Sequence, residues 1–248
     1  RIGDGVLSER IPLRGNNDEF DQLAATINRM LARIETLVGN LQQVSTNIAH
    51  DLRTPLGSLR RKLEAMPDSD EMREAIALLD EMLGTFSALL RIAEIESGAQ
   101  RAGFTSVDLS QLMQHVAESY QPVAEEAGYS LAAEIAPAVL VWGDRSLLMQ
   151  LCANLVENAI RHGKGPIRLV LDAEGRMMIA DAGEGIPAAE REEVCKPFYR
   201  LDRSRHTKGN GLGLSLAQAI AALHGVQMRL EDNSPGLRVV IEGWKREE

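Results

Sequence analysis

The sequence contains few cysteines and few aromatic residues, and it has no excess of positive charge. Its 248 residues include two cysteines, Cys152 and Cys195, whose spacing fits neither a metal site nor a disulfide framework, so two reduced thiols are the simpler interpretation. Aromatic residues make up 4% of the chain, whereas leucine and alanine are abundant, which favours helical bundles. The net charge of −9 argues against nucleic acid as the main partner, because phosphate backbones need clustered cations.

Long hydrophobic runs are also missing. No apolar stretch approaches the length that spans a bilayer, and the first residues do not form a signal peptide. The chain begins abruptly, without an initiating methionine, so we expect it to be a piece of a longer protein. Its ordinary content of apolar and charged residues predicts a globular chain of one or two domains.

The N-terminal half is predicted to be helical. Residues 18–66 carry apolar side chains at steps of three and four, which is typical of a long amphipathic helix, and Asp18 is suited to cap it. Pro67 interrupts this pattern, and a second helix is predicted to extend to about Ser97. Because apolar stripes cover more than one side of this hairpin, we expect it to pair with a second copy as a four-helix bundle.

Beyond residue 100 the pattern changes to mixed α/β. It predicts helices over residues 109–127, 144–161 and 211–224, the second of them capped by Asp144. Residues 130–144 alternate and turn like a hairpin, residues 166–183 read as two strands around a turn at Glu174–Gly175, and two more strands close the chain.

One helical segment, STNIAHDLRTPLGSLRR (residues 45–61), is predicted to expose a histidine. His50 lies two positions from apolar residues on either side, so at about 100° per residue it faces away from the apolar seam. Asp51 is adjacent, Thr54 lies along the axis on the same face, and Pro55 removes an amide and loosens the helix. Exposed helical histidines are common, so an ordinary helix surface is the alternative to a catalytic imidazole.

Two segments further along suit a phosphate-bearing ligand. NLVENAIRHG, from residue 154, places Asn154 and Asn158 on one face of a helix, where an amide oxygen can coordinate Mg²⁺ that also holds phosphates. DAGEG, from residue 181, follows a predicted strand, so Asp181 can accept from an exocyclic amine and the glycines allow close approach. A polar helix surface and a common strand-end turn are the alternatives.

A third segment, GNGLGL (residues 209–214), opens a helix, where backbone amides favour negative charge. It lacks the preceding strand of a Rossmann motif and the Gly-Lys-Ser/Thr ending of a P-loop. The loop before it supplies the cations Arg200, Arg203, Arg205 and Lys208. Either a solvated surface loop or a mobile lid over an anionic ligand fits this composition.

These motifs together resemble those of the sensor histidine kinases of two-component signalling. AHDLRTPL resembles the phospho-acceptor H box, NLVENAIRHG the N box, DAGEGIP and GNGLGLSL the two glycine boxes, and KPFYR the F box. Residues 1 to about 40 resemble the end of a HAMP signal-relay module, with GVLSERIPLRG as its connector and DEFDQLAATINRML as its second helix. The resemblance covers nearly all of the chain, and its motifs follow the family's order.

The resemblance implies a fold of α plus α/β type. A long helical hairpin would form a dimeric four-helix bundle, followed by an α/β sandwich ATP-binding domain of the histidine kinase/chaperone ATPase type. The expected domains are a partial HAMP module over residues 1–40, a dimerisation and histidine phosphotransfer hairpin over 41–100, and a catalytic ATP-binding domain over 101–248.

Ligands, partners and location are implied in the same way. ATP and Mg²⁺ would be bound, and the partners would be a second copy and a response regulator receiver domain, with no nucleic acid. Membrane attachment would occur only through an upstream segment absent from this chain. This chain would then be the cytoplasmic portion of a bacterial inner-membrane receptor.

The resemblance also implies roles for the H-box residues. His50 would accept the phosphoryl group, and Asp51 would orient or deprotonate its ring. Thr54 would position water for a reverse phosphatase activity.

A nucleotide site is implied in the C-terminal half. Asn158 would hold Mg²⁺ with Asn154 nearby, and Asp181 would read the adenine amine. Arg161 and Arg205 are expected at the phosphates. The other expected nucleotide-binding residues are His162, Gly183, Gly185, Gly209, Gly211 and Gly213.

The implied function is ATP-dependent autophosphorylation of a histidine, followed by phosphoryl transfer to a response regulator aspartate, with reverse phosphatase activity. One alternative is an ATPase of the same nucleotide fold, which would leave AHDLRTPL unexplained. The other is a degenerate dimeric signalling scaffold, against which the intact Asn158, Asp181 and glycines argue.

Overall fold

A computed structural model describes residues 10–12, 19–66, 69–96, 103–201 and 210–244. The side chains of residues 19–20, 34–35, 37–54 and 96 lie outside this description, although their backbone is helical. Contacts divide the chain into two compact units, residues 1–57 and 58–248. Within the described ranges, no helix combines the length and apolarity needed to cross a membrane.

The first unit contains most of helix α1, Glu19–Glu64, whose start and end agree with the sequence pattern. Asn28 of α1 bonds in both directions to the preceding segment: the Ile11 N–H donates to its Oδ1 at 2.9 Å, and its Nδ2 donates to the Ile11 carbonyl at 2.9 Å. Ala24 and Leu31 are buried one turn to either side of Asn28. Residues 10–12 are therefore joined to α1 through both the N–H and the carbonyl of Ile11.

Helix α2, Asp70–Glu96, is the first complete helix of the second unit. Ser69 caps it, because its Oγ accepts from the Met72 N–H at 3.1 Å. At its other end Ile92 and Ile95 are buried in the core of the α/β part. The hairpin's second helix thus shares a hydrophobic core with the domain that follows it, which its apolar pattern did not predict.

Among the described residues, the α/β part contains seven strands and three longer helices. The strands are β1 Thr105–Asp108, β2 Leu131–Ile135, β3 Leu140–Gly143, β4 Ile167–Leu171, β5 Met177–Ala180, β6 Gln227–Asp232 and β7 Leu237–Glu242. The helices are α3 Leu109–Glu126, α4 Arg145–His162 and α5 Gly213–His224. Five strands form one sheet in the order β2-β4-β5-β7-β6, in which only the β2–β4 pair is parallel.

Helices α3, α4 and α5 cover one face of this sheet. Alternate residues of β4 and β7 are buried against them, and all belong to one apolar cluster: Ile167, Leu169, Leu171, Leu237, Val239 and Ile241. The period of two in the strands therefore matches a sheet with a single helix-covered face. The expected α plus α/β class is confirmed.

The hairpin predicted over residues 130–144 is wrong. Both strands exist, but β2 pairs in parallel with β4, while β3 pairs antiparallel with β1. Alternation of apolar and polar residues predicts a strand but not the strand it pairs with. Strand β1 has only four residues and was not predicted from the sequence. The other predicted elements of this part are confirmed, including the Asp144 cap, whose Oδ1 accepts from the Ser146 and Leu147 N–H groups.

A buried histidine joins several of these elements. His224 ends α5 and is 5% exposed, with its ring stacked on Phe104 at 4.7 Å. Its Nδ1 lies 2.8 Å from the Ile220 carbonyl and its Nε2 accepts from the Asp144 N–H at 3.1 Å. A carbonyl only accepts and an N–H only donates, so the ring is neutral with its proton on Nδ1. Burial lowers the pKa of His224, which keeps this form at neutral pH.

We expect His224 to make stability depend on pH. Its folded-state pKa is lowered, so the unfolded chain takes up the proton first, and stability falls as pH drops below about 6.5. Between about pH 7.5 and 5.5, wild type should lose more unfolding free energy than His224→Gln, by up to about 1.4 kcal/mol per unit of lowered pKa. Urea unfolding of the full chain, followed by the fluorescence of Trp142 and Trp244, measures this difference.

His115→Gln is the matched control, because His115 is an exposed histidine on α3. This variant should show the wild-type loss of stability. Equal losses in wild type and His224→Gln would contradict the role of the buried ring.

Candidate functional site

Three segments of the second unit meet at one end of the sheet: the end of α4, the loop after β5 and the segment before α5. The Ala182 N–H donates to the Lys164 carbonyl at 2.9 Å, which joins the β5 loop to the residues after α4. Arg200 lies 3.1 Å from where a Cβ on Gly211 would stand, and its charge acts on His162. The sequence motifs from the N box to the second glycine box therefore converge.

Asp181 is the buried acid of this site. It is 5% exposed and follows β5 directly. Its Oδ1 accepts from the Gly183 N–H at 2.7 Å and the Leu237 N–H at 3.4 Å. Burial raises the pKa of Asp181, and these two hydrogen bonds oppose the rise. Because both donors use Oδ1, the carboxylate is oriented with Oδ2 left for a ligand.

Glycines pack closely around Asp181. A Cβ at Gly163 would lie 2.6 Å from the Asp181 Cβ, and one at Gly183 would lie 2.9 Å from its Oδ1. Gly185 has a φ of +66° and lies against the Gly236 carbonyl. Gly183 and Gly185 thus lie at points of close backbone approach, as do Gly163 and Gly236, which the sequence analysis missed. The role of Gly183 and Gly185 in binding a nucleotide stays a prediction.

The signal for Gly163 was present, since it follows the last residue of a predicted helix inside the N-box motif. Gly236 had no such signal, because it belongs to a turn that matches no motif discussed above. Only the tertiary structure brings that turn to the site.

The two asparagines of α4 share one partly buried face. Asn154 and Asn158 are four residues apart, and the Asn154 Nδ2 is buried without a hydrogen-bond partner in the part of the chain that the structure describes. A buried donor without a partner is costly, so this atom indicates that a polar ligand belongs here. Neighbouring Glu157 is engaged elsewhere, since it accepts from the Tyr120 hydroxyl at 2.6 Å.

The start of α5 is open. Leu212 is its N-cap and makes no side-chain capping bond. Apart from the neighbouring residues and backbone of α5 itself, no described atom lies within 4 Å of where a Cβ on Gly213 would stand. Gly211, with a φ of +68°, turns the chain against the Tyr199 carbonyl. Free amides at a helix N-terminus attract anions, so this end is suited to phosphate groups. Gly211 and Gly213 therefore lie at the start of α5, and their nucleotide-binding roles stay a prediction.

The segment before α5 also touches the helical hairpin. Asn210 Nδ2 donates to Thr85 Oγ1 of α2 at 3.0 Å. Its Oδ1 faces the Leu212 N–H at 3.4 Å, so one amide links α2 to the first turn of α5. The sequence contained both residues but gave no reason to connect them.

Positive charge gathers on one side of the site. Arg161 and His162 form the exposed last turn of α4, and Arg200 approaches them from the loop. Partial burial and then the charges of Arg161 and Arg200 lower the pKa of His162, so its ring is neutral at pH 7. Arg161 was predicted at the phosphates, whereas Arg200 was noted only as one of the loop cations.

Some predicted residues cannot be placed. Arg205 and Gly209 lie outside the described residues. His50, Asp51 and Thr54 lie on the α1 backbone in the first unit, but their side chains are also outside the description. The outward-facing imidazole therefore stays a prediction.

Comparison with known proteins agrees with these motifs. Residues 143–245 match the family of histidine kinase-, DNA gyrase B- and HSP90-like ATPases, and residues 1–36 match the HAMP domain. The sensor histidine kinase MtrB of Mycobacterium tuberculosis is 31% identical over 254 residues, which cover 93% of this chain and 44% of MtrB. The chain belongs to the sensor histidine kinases. The order of its boxes is thereby explained.

Two further relatives show how much of a full-length protein this chain spans. The sensor protein BasS of Salmonella typhimurium is 30% identical over 232 residues, which cover 90% of the chain and 65% of BasS. The crystal structure of full-length ShkA in complex with AMPPNP superposes with a TM-score of 0.67 at 25% identity, covering 80% of this chain and 45% of ShkA. The chain thus spans less than two thirds of each relative's length.

Replacing Asp181 by asparagine should separate binding from stability. In Asp181→Asn the side-chain amide would keep the Oδ1 acceptor but turn a donor toward the ligand, so we expect ATP affinity to fall at least about tenfold. The free energy of unfolding should stay unchanged or rise, since burial raises the pKa of Asp181 and thereby disfavours its charged form. Calorimetric titration with ATP and urea unfolding measure the two effects.

Asp172→Asn is the matched control, because Asp172 lies at the β4–β5 turn, at the other end of β5, where it accepts from the Arg176 N–H at 2.8 Å. Its ATP affinity should equal that of wild type. Tight ATP binding by Asp181→Asn would rule out Asp181 as the base-reading acid.

Proposed function

We propose that this chain transfers the γ-phosphoryl group of ATP to His50, from which it passes to an aspartate of a response regulator. The observation that carries this proposal is the convergence of a buried acid, two helix amides and an open helix N-terminus in a sensor histidine kinase chain. Each of these features suits a different part of a nucleotide.

The adenine end is assigned to Asp181. Its carboxylate accepts from the exocyclic amine, and the glycines beside it allow the close backbone packing that fixes its orientation. The triphosphate lies toward the α5 N-terminus, where Arg161 and Arg200 offset the charge that an acidic chain would otherwise repel. ShkA, which shares this fold, was crystallised with AMPPNP.

The α4 amides fit a magnesium–phosphate complex. Asn158 would hold Mg²⁺ through its neutral amide oxygen, and the unpartnered Nδ2 of Asn154 would donate to a ligand oxygen. When bound, Mg²⁺ would neutralise charge on the phosphates. The chain's own part is to fix both amides on one rigid helix.

Phosphoryl transfer depends mainly on placement and charge compensation. His50 must be neutral to act as the nucleophile, and Asp51 would hold the tautomer that leaves its outer nitrogen free. Pro55, inside α1, removes one helix hydrogen bond close to His50, and this loss allows the helix to bend there. The domain boundaries at residues 40 and 100 stay a prediction.

Apolar side chains support a homodimer. Four of them are at least 46% exposed on the two hairpin helices and the turn between them: Leu59, Met66, Leu78 and Met82. A second copy would bury them in a four-helix bundle. The HAMP match supports placing this chain as the cytoplasmic portion of a bacterial inner-membrane receptor.

The main rival is an ATPase that releases free phosphate without a phosphohistidine, because the matched family also includes DNA gyrase B- and HSP90-like ATPases. The rival accounts for the nucleotide site but not for the H-box motif. Label retained on the protein distinguishes the two.

Incubation with γ-labelled ATP and Mg²⁺ should leave an acid-labile label on wild type and none on His50→Gln, because glutamine lacks the nucleophilic ring nitrogen. Autoradiography of the full chain measures it. Asn158→Ala should also lose the label while keeping the helical circular dichroism of wild type. Label that persists on His50→Gln would move the acceptor elsewhere, and free phosphate alone would favour the rival.

Thr54→Ala should keep autophosphorylation but dephosphorylate a phosphorylated response regulator at least about tenfold more slowly, because the hydroxyl that orients water is lost. Thr54→Ser, which retains a hydroxyl, is the matched control and should keep most of the rate. An unchanged rate in Thr54→Ala would remove this residue from the phosphatase reaction.

A further inference from the structure

The turn between β6 and β7 packs against the loop that carries Asp181. Asn233 Nδ2 donates a 2.7 Å hydrogen bond to the Asp181 carbonyl oxygen. The β5–β7 ladder ends at Ala180 opposite Arg238, and one further bond joins the Asp181 N–H to the Leu237 carbonyl at 3.0 Å. The Asp181 carbonyl lies beyond the ladder, so the Asn233 amide takes the place of a strand partner.

Asn233 is itself held in one orientation. Its N–H donates to the Gly236 carbonyl at 3.1 Å, which closes the turn. Arg238 Nη2 donates to its Oδ1 at 3.4 Å, and Arg238 is paired with Glu231 at 3.8 Å. A guanidinium group only donates, so Oδ1 must face Arg238 and Nδ2 must face Asp181.

Gly236 allows this contact to form. Its φ is +114°, and a Cβ there would collide with the Asp181 carbonyl oxygen. The backbone of Asp181 is therefore fixed at its N–H by Leu237 and at its carbonyl by the turn. Because Oδ1 is fixed by the Gly183 and Leu237 N–H groups, the direction of Oδ2 depends on the position of that backbone.

We infer that Asn233 is a positioning residue for base recognition. It holds the backbone carbonyl of Asp181 so that Oδ2 faces the exocyclic amine of an adenine nucleotide. Asn233 bonds to the backbone of Asp181 and not to its carboxylate, so it acts through Asp181. The inference rests on the proposed function, since it assumes an adenine nucleotide at this site. It adds a specificity determinant from a turn that lies outside the sequence motifs.

The test compares ATP with purine riboside triphosphate, which lacks the exocyclic amine. Calorimetric titration of the full chain with Mg²⁺ gives the ratio of the two dissociation constants. Wild type should prefer ATP at least about tenfold, because a hydrogen bond to a charged group is lost with the analogue. Asn233→Ala should reduce this preference at least about threefold and change the affinity for the analogue by less than about twofold.

Ser234→Ala is the matched control on the same turn, because the Ser234 hydroxyl bonds to Asp232 at 2.7 Å and not to Asp181. It should keep the wild-type preference. If Asn233→Ala does not fold, Asn233→Asp replaces it. This variant keeps the size of the side chain and the bond from its own N–H to the Gly236 carbonyl, but its carboxylate has no proton to donate to the Asp181 carbonyl. The same loss of preference is expected.

Each outcome separates the inference from the proposed function. Failure of wild type to bind ATP would overturn the proposed function and this inference with it. ATP binding without a preference for the amine in wild type would overturn the inference alone. So would an Asn233 variant that keeps the wild-type preference, or one that loses affinity for both nucleotides equally, since the residue would then be only structural.

Discussion

The site depends on one carboxyl group placed inside the protein. Asp181 is almost fully buried, which raises its pKa, and the two backbone N–H groups that donate to it oppose that rise. Those donors come from its own loop and from β7, so the carboxylate is oriented only when the sheet is complete. The carboxyl group therefore has this geometry only where β5 and β7 are paired.

Close backbone approach is the second requirement. Gly163 ends α4, and Gly236 belongs to the β6–β7 turn, yet both touch Asp181, where any side chain would collide. Two separate parts of the chain are thus packed around a single residue. The open N-terminus of α5 and the α4 amides are positioned by the same core, because both helices pack against the sheet and against each other.

The second hairpin helix belongs physically to this assembly. Ile92 and Ile95 enter the core of the α/β part, and Thr85 accepts from Asn210 just before α5. A displacement of α2 would therefore shift Asn210 and, through it, the first turn of α5. Such a link is the kind of element through which a signalling helix can bias a nucleotide site.

The sequence by itself determined the helices and most of the strands, because periodicity and caps are local properties, and its motif order predicted which residues bear the chemistry. Asp144 as a cap and Asp181 after a strand needed no tertiary information. Strand pairing, the approach of Gly236 and Arg200, and the contact from Asn233 were decided only by the tertiary structure. Alternation along 130–144 shows that strands form but not which neighbour completes their hydrogen bonds. A turn residue such as Asn233 acquires its role only when the sheet brings it to a carbonyl 52 positions away along the chain.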